Sequence, residues 1–366
     1  MLSYLWIRFS SILKVLARFL HRVSSFFYHL ASSFGKNDLF NQKNSRDLES
    51  NTPPDIPLDP SICETYTLQL QPQHDLKIVG IGASGQVYDV DDQVVLKTCR
   101  IFAPPGSDAS QSECWHYASD TLFHFNLLKD ERTVLRLLQN RPHPHIIEAI
   151  DTDQPEGLYL RKYRHLSADR ISEQSHRIRL YRDITDALCH LHGIGIAHAD
   201  IRIDNILLDD RGLAILCDFS AASPFGQPNM VFPDLPLPVN GPSPTLCEAS
   251  DMFAMASLIF QMEHGAAPEL SFENGILALP EIRSGNPIID KVIQEAWLGH
   301  YSHTSQMLQQ LISIDAQTRH CLESARPFPE SRGLSKDQIR RWRSNRENKF
   351  GKMPLFPNER PSILGV

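Results

Sequence analysis

The sequence predicts an α+β fold of two lobes, a small β-rich lobe followed by a larger helical one. Short strand-like runs crowd the stretch from about 76 to 163, and long apolar-periodic helices dominate after residue 175. With 366 residues, 42% hydrophobic and 22% charged, the chain can bury a sizeable core, which excludes a disordered scaffold. Cys63, Cys99, Cys114, Cys189, Cys217, Cys247 and Cys321 form no C-x-x-C pair. Such a set suits buried thiols in a reducing compartment and reads as intracellular.

Residues 1–36 carry five Lys/Arg and no acid, and Arg8, Lys14, Arg18 and Arg22 interrupt every apolar run. None of these runs reaches the roughly 18 residues that a membrane span needs. At helical spacing the basic and Ser residues share one face, while Leu5, Phe9, Ile12, Leu16, Phe19, Leu20, Val23, Phe27 and Leu30 share the other. This basic amphipathic helix fits membrane-surface contact through residues 1–34 or a mitochondrial transit peptide. Residues 37–75 form a polar, Pro-punctuated linker (NTPPDIPLDP), and the folded body divides into 76–163 and 164–331. A basic tail, 332–366, contains a helix over 334–349 that reads as solvated. The net charge is −7, but the stretch 37–331 alone carries −18, so no nucleic-acid partner is expected.

Within the body, KIVGIGASGQVYDV sets Gly80, Gly82 and Gly85 between two strand-like runs, where the backbone can turn tightly and approach phosphate oxygens. The chain continues through Gln86, Val87 and Tyr88 to Val94-Val95-Leu96-Lys97 as strand and not as helix, which favours a β-hairpin flap over a nucleotide. Lys97 at a strand end is the candidate phosphate cation. A Pro104-Pro105-Gly106 insertion precedes a helix expected over 119–139, and short strands are expected at 146–150 and 157–163.

The most informative stretch is HGIGIAHADIRIDNILLDDRGLAILCDFS. Asp200 is followed by Arg202 and Asn205, then by two short strands around a turn at Asp209–Gly212, then by Asp218-Phe219-Ser220. One carboxylate, one carboxamide and a second carboxylate stand at the ends of a short hairpin, close enough to share a metal ion and a hydroxyl.

With these motifs in this order, residues 76–315 resemble the eukaryotic protein kinase superfamily, and in particular the short, divergent serine/threonine kinase-like proteins abundant in filamentous fungi. The resemblance implies a two-lobed kinase fold that uses ATP and Mg²⁺. It implies that Gly80, Gly82, Gly85 and Val87 cover the nucleotide phosphates, that Val95 and Leu207 sandwich adenine, and that Lys97 contacts the α and β phosphates. Glu131 is then the ion-pair partner of Lys97, Asp200 the catalytic base or hydroxyl-orienting group, Arg202 the γ-phosphate cation, and Asn205 and Asp218 the metal ligands. Leu160 to Tyr163 form the hinge; Leu135, His198 and Phe219 stack as an internal spine; and Asp251 holds the catalytic loop.

The sequence departs from the family at Ala199, in place of the arginine of H-R-D, and at Ser220, in place of the glycine of D-F-G. It also has no A-P-E between Asp218 and Asp251, and no arginine occurs in 297–311 to pair with the glutamate of that motif. Three readings follow: a phosphotransferase acting on protein Ser/Thr hydroxyls, a pseudokinase or ATP-binding interaction module, and a small-molecule kinase of the aminoglycoside or choline type. The absence of a cation at 199 also implies activity that does not depend on phosphorylation of the segment between Asp218 and Asp251. For the N-terminus, a fluorescent fusion of residues 1–34 is expected to leave the bulk cytosol for a membrane surface or mitochondria. Changing Leu16, Phe19 and Leu20 to Ser is expected to release it, and microscopy that finds the unaltered fusion uniformly cytosolic contradicts the reading.

Overall fold

The computed structural model describes residues 68–73, 75–82, 84–166, 171–229, 240–273, 276–319 and 335–352. The helix expected over 1–36 lies outside them, as does the linker up to residue 67. The chain clusters into two units, residues 1–69 with 105–116 and residues 70–104 with 117–366. In the first, a turn closes from Ala109 N to Gly106 O, and Ser110 and Glu113 cap each other's backbone at 3.2 and 2.7 Å. This reciprocal S-x-x-E cap starts helix α1, Gln111–Gln139, eight residues before the start expected from apolar periodicity.

The second unit opens with a five-stranded sheet. Strands β1 (Ile78–Ile81), β2 (Gln86–Asp89), β3 (Val94–Thr98), β4 (Ala149–Asp151) and β5 (Leu158–Arg161) lie in the order β1-β2-β3-β5-β4, every neighbour antiparallel. Alternation sorts the side chains. Tyr88, Val94, Leu96 and Tyr159 join one apolar cluster, whereas Val95, Leu158 and Leu160 join the main core with Leu128 and Leu135 of α1.

The helical part follows: α2 (Gln174–Gly193), α3 (Glu248–His264), α4 (Pro287–Trp297) and α5 (Thr304–Arg319). Tyr181, Ile184, Leu188 and Leu191 of α2 are fully buried at its centre. Glu263 of α3 accepts from Arg177 at 2.9 Å and from the Tyr181 hydroxyl at 2.7 Å, locking α3 to α2. Asn286 caps α4 by accepting from Ile288 N and Ile289 N, with Pro287 at the first helical position. Small strand pairs connect these helices. β6 (Arg164–His165) pairs with β8 (Ile206–Leu208), which pairs with β9 (Ala214–Leu216); β7 (Ile196–Ala197) pairs with β10 (Ser223–Pro224); and β11 (Ser271–Glu273) pairs with β12 (Ile276–Ala278).

The last helix, α6 (Lys336–Phe350), corrects the expectation of a solvated tail. Ile339, Trp342, Arg343 and Arg346 recur at i, i+3, i+4 and i+7 and form one face. Ile339 is buried among Tyr88, Val94, Leu96, Ile150 and Tyr159, and the Trp342 ring meets Tyr159 edge-on at 5.9 Å. Arg343 pairs with both oxygens of Glu156, which also accepts from the Tyr159 hydroxyl at 2.8 Å, and Arg346 pairs with Asp75 at 2.6 Å. The helix therefore covers the outer face of the sheet of the β-rich lobe. Replacing Ile339 by Ala is expected to cost about 2–5 kcal/mol, measured by denaturant unfolding, and a change within 0.5 kcal/mol, the usual range for surface substitutions, contradicts the docked helix.

Candidate active site

The β1–β2 hairpin brings the three glycines to the site, and they differ in what requires them. A Cβ on Gly85 would lie 2.1 Å from Thr98 O, so only glycine lets the hairpin pack on β3. A Cβ on Gly82 would meet nothing within 4 Å, and one on Gly80 only Val87 at 3.9 Å. Packing thus leaves Gly80 and Gly82 free, and the open space beside their backbone is what a bound phosphate chain needs. Between them and β2, the buried Ser84 hydroxyl donates to Asp218 at 3.2 Å, a contact the sequence did not announce.

Lys97 leaves β3 on the inner face and meets two carboxylates. Its Nζ lies 2.8 and 2.7 Å from the Glu131 oxygens and 3.0 Å from Asp218 Oδ1. Glu131 is carried by α1 and also accepts from Phe219 N at 3.3 Å. Burial works against the charge of Lys97, but the Asp218 and Glu131 carboxylates outweigh it and hold the ammonium above the ordinary lysine value. Burial opposes the charge of Asp218 as well, yet Lys97 and hydrogen bonds from Ser220 keep that carboxyl below the usual range. Burial pushes Glu131 up against the pull of Lys97. The expected Lys97–Glu131 pair is therefore formed, and Asp218 is ionised at neutral pH.

The loop that carries Asp200 hangs from Asp251, a fully buried residue of α3. Its Oδ2 accepts from His198 N at 2.7 Å and its Oδ1 from Ala199 N at 2.9 Å. His192 of α2 sits 2.9 Å from Asp251 and 2.6 Å from the Thr304 hydroxyl. Glu248 in turn accepts from Thr304 N at 2.7 Å and from its hydroxyl at 3.0 Å. This hydrogen-bonded chain ties α3 to the start of α5. Sequence reasoning missed Glu248, His192 and Thr304 because they lie far apart in the chain and carry no motif.

Cys217 N donates to Asn205 O at 3.0 Å, which joins the loop to the strand end that carries Asp218. The Asn205 amide donates to Asp200 O at 2.8 Å and to Asp200 Oδ2 at 3.0 Å, which leaves the Asn205 Oδ1 lone pairs for another partner. Arg202, half-exposed, lies 3.2 Å from Asp204 and 4.0 Å from Asp200. Val95 and Leu207 both border the main core, and Leu160 to Tyr163 carry the chain from β5 toward β6. Leu135, His198 and Phe219 are fully buried, with the His198 and Phe219 rings edge-on at 5.1 Å.

Asp218 and Asn205 together offer hard oxygen donors of the kind a hydrated divalent cation takes alongside nucleotide phosphates. Among the described residues no group of three or more His, Cys, Asp or Glu could hold a metal ion by itself. Two backbone outliers flank this arrangement, since Ala199 and Asp218 both have φ of 62°. Such strain, about 1–3 kcal/mol each, persists where the surroundings over-determine the conformation.

Comparison with known proteins agrees with this geometry. The family model described as protein kinase domain matches residues 73–326. The chain is 24% identical over 247 residues to mitogen-activated protein kinase kinase kinase 5 of Arabidopsis thaliana, covering 60% of this chain and 32% of that protein. It is 27% identical over 172 residues to CBL-interacting protein kinase 22 of Oryza sativa subsp. japonica, covering 42% and 37%. It is 26% identical over 220 residues to serine/threonine-protein kinase AtPK1/AtPK6 of Arabidopsis thaliana, covering 55% and 43%. The chain spans about a third of the length of the first two relatives. With the model matching well over half of its residues, the chain belongs to the protein kinase domain family.

Proposed function

We propose that the chain transfers the γ-phosphoryl group of ATP to Ser or Thr hydroxyls of a protein substrate, with Mg²⁺ as the accompanying cation. The observation that carries this reading is the Lys97 ammonium bound to Glu131 and Asp218 within 3.0 Å, in a chain where Asp200 and Asn205 are already hydrogen-bonded to each other. Phosphoryl transfer asks a protein mainly for positioning and charge neutralisation. Lys97 supplies a fixed positive charge for phosphate oxygens, and Gly80 and Gly82 let backbone approach them. Asn205 steadies Asp200, whose carboxylate accepts the substrate hydroxyl proton and aims the oxygen. Arg202, 4.0 Å from Asp200, would pair with the γ-phosphate. A divalent cation held by Asp218 and Asn205 would neutralise phosphate charge during transfer.

Contact of residues 1–34 with a membrane surface belongs to the same proposal, as a means of bringing the kinase body to substrates there. The relatives' printed names support Ser/Thr specificity.

The test is transfer of label from γ-labelled Mg-ATP to a panel of Ser/Thr peptides, with amino sugars and choline as competing acceptors. Asp218→Asn and Lys97→Met are expected to abolish transfer with unchanged circular dichroism, and Asp200→Asn to lower the rate by about 10²-fold or more. Full activity of Asp218→Asn, or transfer to the small molecules in preference to peptides, contradicts the assignment.

A further inference from the structure

The segment after Asp218 is closed by neutral hydrogen bonds. Ser223 and Pro224 pair with Ala197 and Ile196, and Phe225 N donates to Gly195 O at 2.9 Å. Gly226 N then donates to Leu246 O, Leu246 N to Gln227 O and Asn229 N to Pro244 O, so residues 226–229 run antiparallel to 244–246. Two buried asparagines sit where these runs meet. Asn229 Nδ2 lies 3.0 Å from Ser243 O, 3.3 Å from Gly241 O and 3.4 Å from Asn240 O, and Asn240 Nδ2 lies 3.1 Å from Ala199 O. All four partners are carbonyls, which accept only, so the nitrogen of each amide must be the atom facing them.

Ala199 is the strained residue that immediately precedes Asp200. Its N–H is held by Asp251 and its C=O by Asn240, two side chains more than 40 residues away in sequence. Both polar backbone atoms of one left-handed residue are thus fixed from outside the loop, which sets the direction in which the chain enters Asp200. The Ala199 methyl packs with Ala197, Ala221 and Leu246, an apolar setting that would penalise an anion. Gly241 completes the arrangement. Its φ is +72°, and a Cβ there would lie 2.9 Å from the Phe253 ring, so glycine alone lets the chain carry Asn240 onto Ala199. Asn240 is 2% exposed, and its Oδ1 has no partner among the described residues. A leucine of similar size would fill that space without burying an unpaired acceptor, so packing does not account for the amide.

We propose that Asn240, through the Ala199 carbonyl, and Asn229, through the segment that carries Asn240, are positioning residues that hold the Asp200 carboxylate for phosphotransfer. This rests on the phosphotransfer reading only for its kinetic consequence; the ordering itself is independent of it. The clamp consists of neutral amides, so it needs no phosphate to form.

The full chain is tested by hydrogen exchange with mass spectrometry and by steady-state kinetics. Asn240→Leu keeps the volume and removes the donor. Exchange in the peptide covering 196–204 is expected to rise at least tenfold. The kcat is expected to fall at least tenfold, about 1.4 kcal/mol, while KM for ATP stays within twofold, because Asn240 touches no nucleotide-binding residue. Unchanged exchange and kcat in Asn240→Leu overturn the proposal. If that variant does not fold, the same two readouts are taken on Asn229→Ser, and wild-type values there overturn it. Phosphatase treatment of the wild-type chain is expected to change neither readout, and a tenfold change in either contradicts a clamp made of neutral amides. If the wild-type chain transfers no phosphoryl group, the functional reading fails, and exchange in the variants alone decides the clamp.

Discussion

A buried ammonium is the constraint around which the site is arranged. Lys97 lies on a strand covered on both faces, and a cation there is tolerated only with anionic partners at contact distance. Those partners come from two other places, Glu131 on α1 and Asp218 at the end of the β8–β9 hairpin. Satisfying one charge therefore fixes the sheet, the long helix and the hairpin relative to one another. Phe219 follows directly, because its N–H donates to Glu131 and its ring lies against His198. The pair that neutralises Lys97 and the stack that fills the core beside it are consequences of the same placement.

A second constraint acts at the loop that carries Asp200. Ala199 and Asp218 both adopt backbone conformations that L-residues avoid, and each is restrained by groups outside its own turn. Asp251 and Asn240 hold the Ala199 backbone, while Lys97 and Ser84 hold the Asp218 carboxylate. Strain kept in place by surrounding hydrogen bonds is a means of pre-organising polar groups, so that little reorganisation remains when charge develops. Asp251 is the shared support, since it also binds His192 and, through Thr304 and Glu248, the helix packing beneath. Uncharged and mixed hydrogen bonds thus join α2, α3 and the start of α5 behind the loop.

What was legible in the sequence was the chemistry placed at punctuated positions. Gly80, Gly82, Gly85, Lys97, Asp200, Asn205 and Asp218 stand near strand ends or turns, where residue type and spacing single them out, and Glu131 came only from the family resemblance. The docking of α6 was not legible, because two of the four residues on its buried face are arginines and count as polar. Their partners, Glu156 and Asp75, are 187 and 271 residues away. One sign was present, since Val94-Val95-Leu96 in β3 lacks the polar alternation of a half-exposed strand and so implied cover on both faces. The early start of α1 was likewise written in Ser110 and Glu113, but the preceding Pro-Gly insertion masked it. The asparagine clamp had no sequence sign, because an Asn beside a Gly reads as an ordinary turn.

Asp218, held ionised beside Lys97, is expected to make nucleotide affinity depend on a divalent cation. Calorimetric titration of ADP into the wild-type chain and into Asp218→Asn, each with and without Mg²⁺, measures this directly. The expected result is at least a tenfold tighter Kd with Mg²⁺ for the wild type and little gain for Asp218→Asn; equal affinities with and without Mg²⁺ in the wild type would contradict it.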